Sequence, residues 1–464
     1  MIRDLSARLR LFAGRPITGQ AGWVIATFGV SQLLRLVTGP VLAWLLAPAI
    51  LGVLTLVNTL RTGIELISDV GIGQNIVVAE NGDDPAFVST AWTIQAIRGV
   101  ALFLVGLAVS WPLALWYGNP SLAGIFALVS TVFAMTGFGA PARFLMQRRR
   151  QAKQLALYEL ALVGINSAVT IALASIWPTA WAMIVAIMLY SLIVMASQFA
   201  LMDRGVLRFR IDPVHAKTIF RFGRWIFLSS LIYFAGTNFD RLYLPMALPL
   251  ALFGVYGVAR MLGDTMTLLM QRLGNIVIFP AIARAAGTLH QERARIVRLR
   301  GAGLLAMTAA VALGIAGGDL FVRVLYDHRY DGAQVMLPIL MAGTWFSVQA
   351  TMGEAVMLGL SVPARAAAGN AAKLVWAATL LPLALHWHGP IAAVAVIALA
   401  DLPRYVMLAW GQRRQGLSFI GQDAALMLVG VVLTLVFRAV LVAGGIVDGF
   451  VTTDQHRIIG SLLR

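Results

Sequence analysis

An all-α polytopic membrane protein is the fold class this sequence predicts, and three observations carry it. Charged residues make up 12% of the 464-residue chain and hydrophobic residues 59%, whereas soluble domains carry about 25% charged residues. Apolar runs of about 20 residues, enough to cross roughly 30 Å of hydrocarbon, recur from one end to the other, and the mean hydropathy is +0.83. The net charge of +16 sits in short stretches between those runs. That is the distribution of cytoplasmic loops, and it argues against a nucleic-acid partner.

The elements follow in order. Residues 1–15, MIRDLSARLRLFAGR, are basic and amphipathic and lack the small-residue cleavage site of a signal peptide, so they read as a retained surface helix. Apolar segments then fall at 22–46, 50–72, 88–115, 121–145, 155–177 and 179–202, and after a polar linker at 223–246, 249–281, 301–325, 334–359, 364–386, 391–410 and 423–446. With the N-terminus cytoplasmic, the basic stretches 148–153, 204–224, 290–300 and 411–416 all lie on the inner side, and the outer connections are short and nearly free of Lys and Arg. The 79–86 connection, AENGDDPA, is acidic although this topology puts it inside. An odd number of spans puts the tail on the outer side.

A shift of 202 residues sets Trp23 on Trp225 and AILGV (49–53) on ALFGV (251–255). The chain therefore reads as an N-terminal six-helix lobe (1–203), a basic cytoplasmic linker (204–222), a C-terminal six-helix lobe (223–410), and an extra transmembrane helix with its tail (411–464). Two six-helix bundles related by a parallel repeat, with a central cavity between them, form a transporter plan.

Three stretches bear a family resemblance: ISDVGIGQNIV (67–77), TNFDRLYL (237–244), and LFGVYGVARML (252–262) followed by IVIFPAIAR (276–284). They are similar to signatures of the polysaccharide transporter family, the oligosaccharide-lipid flippases of the multidrug/oligosaccharidyl-lipid/polysaccharide exporter superfamily. The resemblance spans about residues 20–415; the tail departs from the usual fourteen-helix plan. It implies transport of an undecaprenyl-diphosphate-linked oligosaccharide repeat unit across the bacterial inner membrane by alternating access, for exopolysaccharide, capsule or O-antigen synthesis. The implied partners are that glycan, membrane lipids, and polymerase and export proteins of the same pathway. Related lipid flippases carry cavity arginines on helices one, two and eight.

Ionisable residues inside apolar segments mark functional sites by default, since each costs on the order of 3 kcal/mol against lipid. Arg35, Arg61, Arg98 and Arg260 are the candidate diphosphate-binding residues. Arginine keeps its charge in a partly dry site and grips phosphate with a bidentate fork. Arg61 has Glu65 and Arg260 has Asp264 at i+4, so local pairing is an equal reading for those two. Arg35 and Arg98 have no carboxylate within a helical turn, and either find partners on other helices or meet an anion. Asp240 and Arg241 are adjacent, hence about 100° apart on a helix, and with Tyr256 they read as an outer gate or structural clasp. Glu354 and Lys373 are candidates for ion coupling or for a salt bridge to each other. Asp401 and Arg404, at i,i+3, read as a structural pair.

The chain has no cysteine, hence no disulfide or thiolate chemistry. His386 and His388 are spaced i,i+2, which is a poor metal-ligand arrangement. No paired-carboxylate motif, P-loop or Ser/His/Asp pattern occurs, so the sequence reads as no enzyme, without cofactor or metal. The competing readings are a membrane glycosyltransferase, ligase or polymerase of the same pathway, and a multidrug exporter of the same superfamily.

Overall fold

A computed structural model describes residues 20–69, 71–202, 207–285 and 289–447, with 449, 451, 455, 457 and 458. The amphipathic 1–15 segment and most of the tail lie outside the described residues, as does the start of the 204–222 linker.

Among the described residues helices are the only extended regular elements. They are α1 (Gln20–Leu45), α2 (Pro48–Ile67), α3 (Ile72–Val78), α4 (Pro85–Trp116), α5 (Leu122–Phe138), α6 (Ala142–Arg148), α7 (Ala152–Ile176), α8 (Ala180–Ala200), α9 (Pro213–Ala247), α10 (Leu250–Leu273), α11 (Phe279–Arg284), α12 (Leu289–Leu325), α13 (Ala333–Gly359), α14 (Pro363–Ala398), α15 (Asp401–Arg414) and α16 (Ile420–Ala443). Nine of the described helices are long and apolar enough to cross a membrane, or ten if α5 and α6, bent by 45° at their junction, form one span. α9 and α10 are not among them, and these two carry Asp240, Arg241, Arg260 and Asp264.

Each of the thirteen apolar segments falls on helix, but the helices run further. α9 starts at Pro213, ten residues before the expected apolar start, and α12 starts at Leu289. The 37 residues of α12 span about 55 Å, so the basic 290–300 stretch is helix projecting beyond the hydrocarbon. The break expected near 387–390 is a kink inside α14, where Gly389 adopts φ 75° ahead of Pro390. That left-handed conformation suits glycine, and the proline then removes a helical hydrogen bond.

Packing divides the chain into two units. The first holds the chain up to Leu45 together with Ser68–Ile226; the second holds Leu46–Ile67 and Phe227–Arg464. By packing, α2 therefore belongs with the C-terminal helices.

In the first unit, Ile72, Ile76, Phe87, Val88, Leu145 and Ile219 form a core that joins α3, α4, α6 and the beginning of α9. The acidic 79–86 connection is neutralised here. Asp83 lies 3.4 Å from Arg148 and 3.7 Å from Arg149, and Asp84 caps α4 through the Ala86 N–H at 3.1 Å. Arg148 also donates to the carbonyls of Ile76, Val77, Ala79 and Glu80, closing the C-terminal end of α3. The described linker residues lie along α4: the N–H groups of Arg208, Arg210 and Asp212 donate to the hydroxyls of Ser89, Thr93 and Thr90. Asp212 then caps α9, and the Val214 and His215 N–H groups hold its carboxyl below the ordinary carboxylate range.

In the second unit α13 is the central helix, buried along most of its length. Being apolar all round, it has no face suited to water. The 202-residue shift is met in the backbone. α1 ends at Leu45 and α9 at Ala247, while α2 starts at Pro48 and α10 at Leu250. Within this unit α2 crosses α10 at the related glycines. A Cβ added to Gly52 would collide with the carbonyl of Leu250, and one added to Gly254 with the carbonyl of Pro48. Leu250 and Pro48 are themselves related by 202 residues, so the contact is reciprocal. Only glycine permits two backbones to approach this closely.

Candidate functional site

The adjacent Asp240 and Arg241 on α9 do not pair with each other. Their 100° separation aims them at different residues of α10, where Tyr256, Arg260 and Asp264 are spaced four apart on one face. Tyr256 donates its hydroxyl hydrogen to Asp240, and Arg260 Nη1 lies 3.7 Å from the same carboxylate. Arg260 Nε donates to Asp264 at 3.3 Å. Arg241 pairs with Asp264 and donates to Asn238 Oδ1 at 3.3 Å. Two arginines and two aspartates thus balance, with Asp240 and Tyr256 buried at 5% and 1% exposure.

A second balanced group joins α13, α14 and α15. Lys373 Nζ donates to Asp401 Oδ2 at 2.7 Å, Arg404 Nη1 donates to Asp401 Oδ1 at 3.2 Å, and Arg404 Nη2 pairs with Glu354. The expected pair Asp401–Arg404 is present. The expected bridge between Glu354 and Lys373 is not: each finds its counter-ion on α15. In low-dielectric surroundings a neutral, hydrogen-bonded set of this kind is the form in which charges persist.

The other arginines divide. Arg98 on α4 meets Asp69 at 3.6 Å and donates to Ser68 Oγ at 3.2 Å. Its carboxylate comes from the segment after α2, out of reach of a one-turn search. Arg61 on α2 forms no pair with Glu65 among the described residues; its Nε is buried without a hydrogen-bond partner. Arg35 on α1 is exposed and has no ion pair among the described residues. Arg35 and Arg61 are thus the arginines of the original four that keep their positive charge uncompensated by a carboxylate in the described structure.

Sequence reading missed two further buried pairs, Arg300 with Asp423 and Asp319 with Arg438. Arg300 was assigned to a basic connection, yet it is 1% exposed. Asp423 and Arg438 lay in plain view inside the last apolar segment, and the same rule that flagged Arg35 applies to them. Trp111, Trp116, Trp177 and Trp181, at or near the ends of α4, α7 and α8, are exposed, the position of interfacial anchors. Tyr243 stacks on Phe239.

Long apolar helices with balanced internal charges define a polytopic α-helical membrane protein. The chain matches the sequence profile of the polysaccharide biosynthesis protein family over residues 41–334 and belongs to that family. It is 22% identical over 360 residues to the lipopolysaccharide biosynthesis protein WzxC of Escherichia coli K12, covering 76% of this chain and 71% of that protein. To the succinoglycan biosynthesis transport protein ExoT of Rhizobium meliloti it is 24% identical over 216 residues, 45% of this chain and 42% of that one. Among solved structures, the lipid II flippase MurJ in an inward closed conformation superposes with a TM-score of 0.68 at 10% identity, over 91% of this chain and 99% of that one. An inward-facing multidrug resistance MATE transporter of the MOP superfamily gives 0.66 at 16% identity, over 86% and 95%. At these identities the two structures establish a shared fold.

Proposed function

We propose that this protein is a flippase that carries an undecaprenyl-diphosphate-linked oligosaccharide repeat unit across the bacterial inner membrane by alternating access, with its N-terminus in the cytoplasm. Membership of the polysaccharide biosynthesis protein family and the similarity to WzxC and ExoT support the substrate class. The observation that carries the site is the division between compensated and uncompensated arginines. Arg35 and Arg61 are candidate phosphate contacts, each in its own right, because a diphosphate supplies the negative charge that no carboxylate among the described residues gives them. Arg98 and Arg260, already paired with carboxylates, act more weakly on the headgroup. Asp240, Arg241 and Tyr256 form the clasp between α9 and α10. The protein is read as a carrier and not an enzyme: polymerase and export proteins act on the glycan after it.

The test is export in cells. Arg35→Ala and Arg61→Ala are each expected to lower surface glycan about tenfold or more, the worth of one lost charge-assisted contact of about 1.5–3 kcal/mol, while lipid-linked precursor accumulates inside. Lys variants retain part of the activity. Normal export by Ala variants present at ordinary levels in the membrane would remove both arginines from the site.

Ion coupling is assigned to Glu354 and Lys373, each on a balanced pair with α15. Lysine is the one basic group here able to release its proton on burial. Lys373→Arg, which keeps the charge and loses the exchangeable proton, is expected to flatten the pH dependence of transport; an unchanged pH profile in that variant would exclude Lys373 as the coupling group.

A further inference from the structure

α16 is buried at two of its positions, and both are charged: Asp423 and Arg438. Its remaining surface is largely apolar and open, with Leu428, Val431, Val432, Leu435 and Val436 all exposed, as expected for a helix that faces lipid. Nothing apolar on it is buried deeply enough to fix a register. The two charges do so instead. Arg300 of α12 donates to Asp423, and Arg438 donates to Asp319 of α12 at 2.9 Å. All four residues are at most 5% exposed.

Each pair is enclosed by further bonds. Arg300 donates to Gln422 Oε1 at 2.9 Å and to Gln349 Oε1 of α13 at 3.0 Å, and its guanidinium lies 4.7 Å from the centre of the Phe419 ring. Tyr405 of α15 donates to Asp423 at 3.0 Å. At the other end Arg438 also donates to the carbonyls of Ala316, at 2.8 Å, and Gly449, at 3.0 Å. Gln455 donates to the Gln334 carbonyl at 3.2 Å, at the start of α13.

The signs are reversed between the two ends. α12 presents its cation first and its anion second; α16 presents its anion first and its cation second. With α16 turned end for end, Arg438 would meet Arg300 and Asp423 would meet Asp319, leaving four buried charges repelled instead of paired. We infer that α16 is keyed to α12 by these two ion pairs: their polarity sets its direction and register and delivers the tail to the side of the 326–332 connection. The last helix is thus an integral part of the second unit, even though it stands outside the 202-residue repeat.

The test uses the full chain in membranes. Reversing α16 alone, Asp423→Arg with Arg438→Asp, is expected to lower the yield of monodisperse extracted protein about tenfold or more, because both pairs become like-charged and buried. Adding Arg300→Asp and Asp319→Arg restores both pairs and is expected to bring the yield back to within about threefold of the natural chain. The absence of native cysteine supplies a second readout free of folding defects. Single cysteines in place of the exposed His328 and Val451 should react with a membrane-impermeant maleimide from the same side. Normal yield after reversing α16 alone, no recovery with four changes, or labelling from opposite sides would each overturn the inference.

Discussion

Arg61 and Arg260 each have a carboxylate four residues on, and among the described residues the ion pair at that spacing is Arg260 with Asp264. Asp264 is drawn into place by Arg241 from α9 as well, so two cations hold one carboxylate. Helical spacing lists the pairs that can form, and the neighbouring helix decides which do. The same limit explains Glu354: Lys373 and Arg404 were both within reach of a sequence argument, but α15 brings Arg404 to Glu354 and leaves Lys373 to Asp401. Arg98 and Asp69 are 29 positions apart, and no local pattern joins them. Intramembrane charges were thus legible as a set, and their pairing was not. At this scale the hydroxyl of Tyr256 is the cleanest probe of the clasp. Tyr256→Phe removes the bond to the buried Asp240 and is expected to destabilise the protein by about 1–3 kcal/mol. The measurement is thermal unfolding in detergent, and an unchanged midpoint would show that the bond contributes nothing.

Helix positions were legible because hydropathy is a long, redundant signal: every apolar segment lies on a helix. Helix ends were less so, since α9 and α12 continue through basic turns whose composition resembles a loop. The short match between AILGV and ALFGV carried more than its length suggests, because it marks the reciprocal crossing of α2 and α10. Gly52→Ala and Gly254→Ala each drive a methyl into a carbonyl of the other helix and are expected to cost about 1–3 kcal/mol by overpacking. Gly29 and Gly164 lie within helices with nothing within 4 Å of an added Cβ. Alanine there should leave the melting temperature unchanged or slightly raised, through helix propensity of about 1 kcal/mol. Equal effects at all four glycines would mean that the crossing is not tightly packed.

Across the whole molecule, charge is sorted by role. The buried carboxylates of the second unit are matched by arginine or lysine, whereas Arg35 and Arg61 stand without a carboxylate among the described residues. A carrier of cationic drugs calls for the reverse polarity, with surplus carboxylate. Transport class was legible from composition, the repeat and the family signatures; the identity of the arginines that keep their charge required the fold. The most direct measurement is translocation of an undecaprenyl-diphosphate-linked oligosaccharide in proteoliposomes containing the purified protein. The natural chain should move the lipid well above empty vesicles, and the Arg35→Ala/Arg61→Ala double variant, with an unchanged melting temperature, should lose about tenfold or more of that rate. No transport by the natural chain, or an undiminished rate in the double variant, would contradict a flippase that grips its substrate through these arginines.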